Sequence, residues 1–308
     1  MFLITGATGL TGSAVVRAFA RGGLPVRALV RDPGRTRAWG AAPGVRTVRA
    51  DLLVPDTLPA ALDGVDTVVL ISGADDRMAE AQGNLIDAAV ASGVRRVVKV
   101  SGMGADPESP FRFLRLHAEA EEHLRTSGLG WTVIRPSQFM QVYYREVPTM
   151  LADGTLAQPL GNARLAPIDV EDIAEVVHAT ATGEGHEGEV HEMTGPQALT
   201  MAEVCEVLTS VVGRPVRYVD IDPEEKRRRL VAGGIPPRFA DDLGDLFRLR
   251  REGGPESRVS IGVFARLGIR PTPFAEFARR SAAVLRGATA PDRLWASGWH
   301  GADGGAGT

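Results

Sequence analysis

Three glycines, Gly6, Gly9 and Gly12, stand at three-residue intervals in the stretch MFLITGATGLTG. Glycines so placed let backbone N–H groups approach an anion that side chains would block, which suits the segment to a phosphate. The competing reading is a strand, a turn and a helix whose glycines only bend the chain. A second candidate group lies in ALVRDP, where Arg31 precedes Asp32, Arg35 and Arg37. Such guanidinium groups suit a phosphate ester, or they form a solvated basic loop. Asp51 and Leu52 follow the run VRTVR, well placed to border a planar ring of a ligand, although an Asp after a strand also serves as a turn or cap residue. Ser101 closes RRVVKVS, and His117 shares a helix face with Phe113, Ala120 and Leu124. A serine hydroxyl there polarises a carbonyl or caps the next turn; the histidine carries a proton or packs in the core. His186 and His191 flank a glycine turn beside Glu187, but their position around a strand start favours sheet and surface roles, and no metal is expected. Cys205 is the sole cysteine, which excludes an internal disulfide and a thiolate-rich metal site.

These residues need a scaffold, and the apolar runs supply one. FLIT (2–5), PVRALV (25–30), VRTVR (45–49), DTVVLI (66–71), RRVVKVS (95–101), WTVIR (131–135) and EVHEM (189–193) are bounded by turn residues. Several lack strict alternation, as parallel strands covered on both faces do. Helical patterns separate them over 10–21, 78–92 and 110–127, ending at Gly22-Gly23, Gly93 and Gly128. This alternation predicts an α/β fold, a doubly wound parallel sheet of Rossmann-like type, with a smaller and mostly helical C-terminal substrate region. Residues 1–152 form the expected nucleotide-binding core, to which a helix near 169–182 and a strand near 189–193 return. Residues 153–286 form the interleaved substrate region, and 287–308 a flexible tail in which Trp295 and Trp299 are candidates to dock. A helix is expected near 138–151, a loop over 153–167, and helices near 223–232, 236–251 and 273–286. Asp169 with Asp172 opens one helix, and Thr200 with Glu203 forms a capping box for another.

The whole chain has 308 residues, 44% of them hydrophobic and 24% charged, an ordinary globular balance. Its formal charge of −3 gives no reason to expect nucleic acid or an anionic membrane as partner. No apolar run approaches the roughly 20 residues that span a bilayer. With the first strand at Phe2 leaving no room for a targeting peptide, a cytoplasmic protein is expected. A homodimer is left open.

The glycines follow a strand and open a helix, the setting a dinucleotide loop requires, although Gly-x-x-Gly-x-x-Gly departs from the commoner G-x-G-x-x-G. At the end of the second strand an acidic residue would bind the ribose 2′-hydroxyl of NAD, whereas an arginine accommodates the 2′-phosphate of NADP. Arg31 favours NADP. TGATGLTG, the VRDP turn, VVKVSGMGA, HAEAEEHL and SGLGWTVIRPSQFM together resemble the atypical short-chain dehydrogenase/reductase superfamily, and within it the NmrA-like branch of NAD(P)H-dependent quinone, azo-dye and triphenylmethane reductases. APIDVEDIAEVV, the stretch from GEVHEM to GRPVRY and FAEFARR fit the same branch, so the resemblance covers nearly all of the chain to about residue 285.

The resemblance implies that Thr8, Gly9, Leu10 and Thr11 contact the pyrophosphate by their backbone, and that Arg31 binds the 2′-phosphate. It places Asp51 and Leu52 at the adenine, Ile71, Ser72 and Gly73 along the adenosine ribose, and Ser101 and Gly102 on the nicotinamide side. His117 would approach the nicotinamide ribose, with Pro136, Ser137, Gln138 and Phe139 closing over the ring. Typical members of the superfamily carry Tyr-x-x-x-Lys on the helix after strand five, where the lysine holds the ribose and lowers the tyrosine pKa. Here the two positions are Phe113 and His117, and no tyrosine lies four residues before a lysine. His117 in the lysine's place favours a ribose role, while proton donation remains the alternative, with Ser101 as the substrate-polarising hydroxyl.

Without a phenol acid, hydride transfer is easiest to acceptors whose product anion is already stabilised, such as quinones and conjugated enones. Met103, Trp131, Phe139, Met140, Tyr143 and Tyr144 are expected to line an apolar pocket, with Phe113 governing substrate fit. The expected protein is thus an NADPH-dependent reductase of a planar apolar acceptor with no metal. Alternatives are a non-catalytic NADP(H) sensor of the NmrA-like type, or a lyase or isomerase using the same cofactor.

Overall fold

Every apolar run identified above becomes a strand of one sheet in the computed structural model, which describes residues 1–34 and 42–290. Arg35, Arg37, Trp295, Trp299 and the tail after residue 290 lie outside the described residues. The first half runs β1 (Phe2–Ile4), α1 (Leu10–Arg21), β2 (Val26–Val30), β3 (Val45–Arg49), α2 (Leu58–Leu62), β4 (Thr67–Leu70), α3 (Met78–Ala91), β5 (Arg96–Val100), α4 (Arg112–Thr126) and β6 (Gly130–Pro136). It continues through α5 (Val147–Asp153), β7 (Thr155–Gln158), α6 (Val170–Thr182), β8 (Glu189–Met193), α7 (Met201–Val212) and β9 (Arg217–Asp220). Helices α8 (Pro223–Ala232), α9 (Pro237–Arg251), α10 (Gly262–Leu267), α11 (Phe274–Arg280) and α12 (Ala282–Leu285) complete it.

The central sheet has seven parallel strands in the order β3-β2-β1-β4-β5-β6-β8. The winding reverses between β1 and β4, and a doubly wound sheet opens its ligand crevice at the carboxyl ends beside such a reversal. Strands β4 and β5 are buried at every position, because helices cover both faces. On one face Val15, Phe19, Val98, Val100, Ile173 and Val177 form a core under α1 and α6. On the other, Leu3, Leu62, Leu85, Val97 and Leu124 pack under α2, α3 and α4. A third cluster, around Met150, Leu156, Leu208 and Phe277, joins α5, α7, α11 and the small parallel pair β7–β9.

Asp169 caps α6 and the Thr200/Glu203 capping box opens α7, as the sequence predicts. Differences are confined to short pieces. The expected loop over 153–167 contains β7, which with β9 has only four residues, too few to show a period. The expected helix over 138–151 is a 3₁₀ turn at Met140–Glu146 followed by α5, because Pro148 lacks an N–H and starts a new helix. The helix expected near 273–286 breaks at Ser281 into α11 and α12.

Candidate active site

The glycine turn between β1 and α1 forms one wall of the crevice. Gly6 has φ +57°, and a Cβ there would lie 2.7 Å from the Ile71 carbonyl oxygen. A Cβ on Gly12 would lie 2.1 Å from the Gly6 carbonyl oxygen, so only glycine lets α1 approach the turn this closely. Thr5 Oγ1 donates to Ile71 O at 2.6 Å and accepts from Ile71 N–H at 2.8 Å, fastening the end of β1 to the end of β4. Helix α1 starts after an extended Gly9 with no side-chain cap, whereas α6, α7 and α8 are capped by Asp169, Thr200 and Asp222. Its first amides and its positive dipole end thus remain available to an anion. Thr8, Gly9 and Leu10 are half-buried and Thr11 is buried at this start.

Arg31 is exposed just beyond β2 and makes no ion pair among the described residues. Asp51 sits at the next strand end, where its carboxylate accepts from Leu53 N–H at 3.0 Å. It thereby serves its own turn. Asn84 of α3 donates to the Leu52 carbonyl at 2.9 Å and fixes that backbone. Ile71 is buried, Ser72 accepts from Gln82 Nε2 at 2.8 Å, and Gly73 is open, with nothing within 4 Å of an added Cβ. These strand ends make a cradle whose donors, open backbone and exposed guanidinium fit an NADP(H) molecule.

Beyond the reversal, the segments leaving β5 and β6 stay paired. Ser101 N–H donates to Ile134 O at 2.7 Å and Met103 N–H to Pro136 O at 3.0 Å. Ser137 is tied to Met193 O and Ala166 O, while Gln138 O accepts from Ile168 N–H at 2.8 Å, holding Pro136, Ser137, Gln138 and Phe139 extended at the rim. Gly102 lies against α4, where a Cβ would come 3.5 Å from His117 Cδ2.

A charged cluster underlies this rim. Glu121 of α4 is fully buried and accepts two hydrogen bonds from Arg135, at 3.0 and 2.6 Å, one from Arg125 at 2.7 Å and one from Ser101 Oγ at 2.6 Å. Burial opposes the Glu121 carboxylate, but hydrogen bonds from Arg135 and Ser101 and the charges of Arg135 and Lys99 hold its pKa below the ordinary glutamate value. Lys99, fully buried in β5, places Nζ 3.1 Å from His117 Nδ1. Burial lowers its pKa to about 7 despite the pull of Glu121, with Arg135 and Arg125 adding to the fall. Burial, then the charges of Lys99 and Arg135, push the His117 imidazole well below its ordinary value, so the ring is neutral near pH 7.

Lys99, Glu121 and Arg135 were not among the candidate residues. The signal for them is a lysine inside the otherwise apolar VVKVS run, because a charge buried in a central strand requires partners. Ser101 departs from its expected role as carbonyl-polarising donor: its hydroxyl proton is already given to Glu121.

The expected substrate-lining set also divides. Met140, Tyr143 and Tyr144 face the third core cluster instead of the crevice. The 3₁₀ turn has about three residues per turn, so Met140 and Tyr143 point inward together. Tyr143 OH reaches Met201 Sδ at 3.8 Å and Tyr144 OH meets Ser281 Oγ at 2.7 Å. Burial pushes both phenols above the ordinary tyrosine value, and their place in the core keeps them from the crevice. Phe113 is covered by α9: Arg112 pairs with Asp242 at 2.6 Å, and the Phe113 ring meets Phe239 edge-on at 5.2 Å between centroids. Trp131 packs on the core below α4, under Arg125. Met103 and Phe139 alone of the apolar set stay on the segments that leave β5 and β6 at the rim. His186 and His191 stack edge-on at 5.5 Å, and no group of three metal-ligating side chains occurs among the described residues. No described helix is long and apolar enough to cross a membrane.

The profile of the NmrA-like family matches residues 1–277. An NAD(P)H azoreductase from Xenophilus azovorans is 37% identical over 288 residues, spanning 92% of this chain and 99% of that protein. The structure of an NADPH-dependent quinone oxidoreductase from Escherichia coli, solved with NADPH, superposes with a TM-score of 0.83 at 30% identity, over 91% of this chain and 99% of that one. A triphenylmethane reductase from Citrobacter sp., solved with NADP(H), superposes with a TM-score of 0.80 over 92% of this chain and 100% of that one; at 23% identity it speaks for the fold alone.

Proposed function

Because the chain belongs to the NmrA-like family, we propose that it is an NADPH-dependent reductase that passes hydride to a planar apolar acceptor such as a quinone or a conjugated enone. The observation that carries this reading is the crevice itself: the uncapped start of α1 behind a turn that only glycine can form, with Arg31, which makes no ion pair among the described residues, at the end of the neighbouring strand. The bound cofactor supplies the hydride. Thr8, Gly9, Leu10 and Thr11 hold the pyrophosphate, Arg31 the 2′-phosphate, and Asp51, Leu52, Ile71, Ser72 and Gly73 the adenosine. Gly102 and Pro136, Ser137, Gln138 and Phe139 border the nicotinamide and shield it from water. In this reading the nucleotide lies on residues 1–152 together with α6 and β8, and the acceptor enters from the side of residues 153–286.

The chemistry of the acceptor follows from what the rim lacks. Tyr143 and Tyr144 are engaged in the core, and Tyr218 bonds to Gln158 O at 3.0 Å on the second sheet, so no described tyrosine stands ready to protonate an alkoxide. An acceptor that delocalises the incoming electron pair needs such an acid least. NADPH consumption should therefore run fastest with quinones, slower with conjugated enones and slowest with simple ketones. Measured against that panel beside NADPH and NADP affinities, tight binding with no turnover of any acceptor would instead identify a redox sensor.

A further inference from the structure

Lys99 and His117 form a chain from the buried sheet to the crevice. Lys99 lies between Leu70 of β4 and Val133 of β6 in the sheet register, and its side chain is sealed from solvent on the α4 face. Its Nζ is 3.1 Å from His117 Nδ1. His117 is only half-buried, and a Cβ on Gly102 would stand 3.9 Å from its Nε2. One ring nitrogen thus faces the lysine while the other lies toward the segment that leaves β5 for the rim. The remaining charges around Lys99 are Glu121 and Arg125 on α4 and Arg135 on β6, and Glu121 is already saturated by Arg135, Arg125 and Ser101.

We propose that Lys99 and His117 act as a proton-delivery pair, in which His117 Nε2–H protonates the reduced acceptor and Lys99 replaces the proton through Nδ1. This inference rests on the reductase reading above. The Lys99 ammonium donates to Nδ1, which fixes the neutral ring as the Nε2–H tautomer. Once the acceptor has gained a hydride with its two electrons, the resulting anion uses a lone pair to take the Nε2 proton. The Nε2–H bond breaks, and a proton moves from Lys99 Nζ to Nδ1. The histidine ends neutral as the Nδ1–H tautomer and the lysine ends as a neutral amine. Water then gives a proton to Nε2, releasing hydroxide to the solvent, and the Nδ1 proton moves back to Lys99, which reaches solvent only through the ring. His117 is the catalytic acid and Lys99 a positioning residue that acts through it.

The pair carries one positive charge, the Lys99 ammonium, below about pH 7 and none above, following the lowered lysine pKa, so above it the ring has no proton to draw on through Nδ1. Turnover of a ketone should fall as pH rises through that value, whereas turnover of a quinone should depend on it far less. In Lys99→Met, which replaces the ammonium by an apolar chain of similar length, the ratio of ketone to quinone rates should drop about tenfold or more, on the scale of general acid catalysis. The ketone limb near pH 7 should vanish with it. A loss by the same factor for both acceptors, or a limb that persists in Lys99→Met, overturns the proposal. The unmodified protein supplies an independent reading if that variant fails to fold: ring 15N shifts of His117 should report Nε2–H with Nδ1 as acceptor at pH 6–7. A predominant Nδ1–H tautomer at that pH would refute the pairing. Absence of NADPH consumption with every acceptor would sink the reductase reading while leaving the tautomer measurement to judge the pair.

Discussion

At the residue scale, Arg31 stands apart by making no ion pair among the described residues. Arg17, Arg95, Arg112 and Arg135 are each tied to a carboxylate, whereas Arg31 projects from the end of β2 without an ion pair among the described residues. An exposed guanidinium at that strand end matches a 2′-phosphate, and NADH offers it none. Arg31→Ala should weaken NADPH binding by about 1.5–3 kcal/mol, tenfold or more, while NADH binding changes little. Titration of both nucleotides against the variant checks this, and equal weakening would reduce Arg31 to a support of the loop. The position of Arg31 was legible because it depends on a strand end, which the sequence marks. Lys99 was not, since its role depends on which helix covers that face of β5 and on where His117 falls along it. Ser101 illustrates the same limit: nothing local indicates that its hydroxyl meets Glu121 from α4, twenty positions along the chain.

At the scale of elements, the junction of β1 with α1 is the most constrained part of the site. The Gly12 Cβ would collide with backbone at 2.1 Å, while a Cβ on Gly9 would stand 3.2 Å from the same Gly6 oxygen. Backbone cannot yield as a flexible side chain does, so Gly12→Ala must displace α1 or open the turn. Overpacking of this kind costs about 1–3 kcal/mol. Gly12→Ala should lower Tm and NADPH affinity together, and Gly9→Ala should lower affinity with a smaller loss of Tm. Thermal melts beside nucleotide titration test the ranking, and a Gly12→Ala protein as stable as the parent would contradict it. The seven strands of the central sheet were readable because each is a continuous apolar run between turn residues. Strands β7 and β9 were missed because they stabilise each other across sixty positions and bear no period of their own. Met140, Tyr143 and Tyr144 were assigned to the wrong surface for a related reason: a 3₁₀ turn in place of an α-helix changes which side chains face inward.

At the scale of the molecule, the sheet core and the C-terminal helices are joined by a buried carboxyl group. Asp172 lies on α6, which packs on α1, and it accepts from Thr272 N–H and Thr272 Oγ1, both at 2.7 Å, just before α11 of the third cluster. Gln141 and Arg280 converge on neighbouring Asp169, so the junction is polar and enclosed. Burial raises the Asp172 pKa from 3.8 to about 6, against the lowering effect of the two Thr272 hydrogen bonds. The folded state therefore binds this proton more tightly than the unfolded chain does. Its contribution to stability is complete below the unfolded value and is lost as pH rises through about 6. Asp172→Asn keeps the shape and both contacts, since Oδ1 accepts from Thr272 N–H while Nδ2 donates to Thr272 Oγ1. It carries no charge to bury at any pH. The Tm of Asp172→Asn relative to the parent should thus climb between pH 4 and pH 7 and level off above. A difference that stays constant across that range would show that the carboxyl group titrates alike in both states, and that the junction is held by its hydrogen bonds alone.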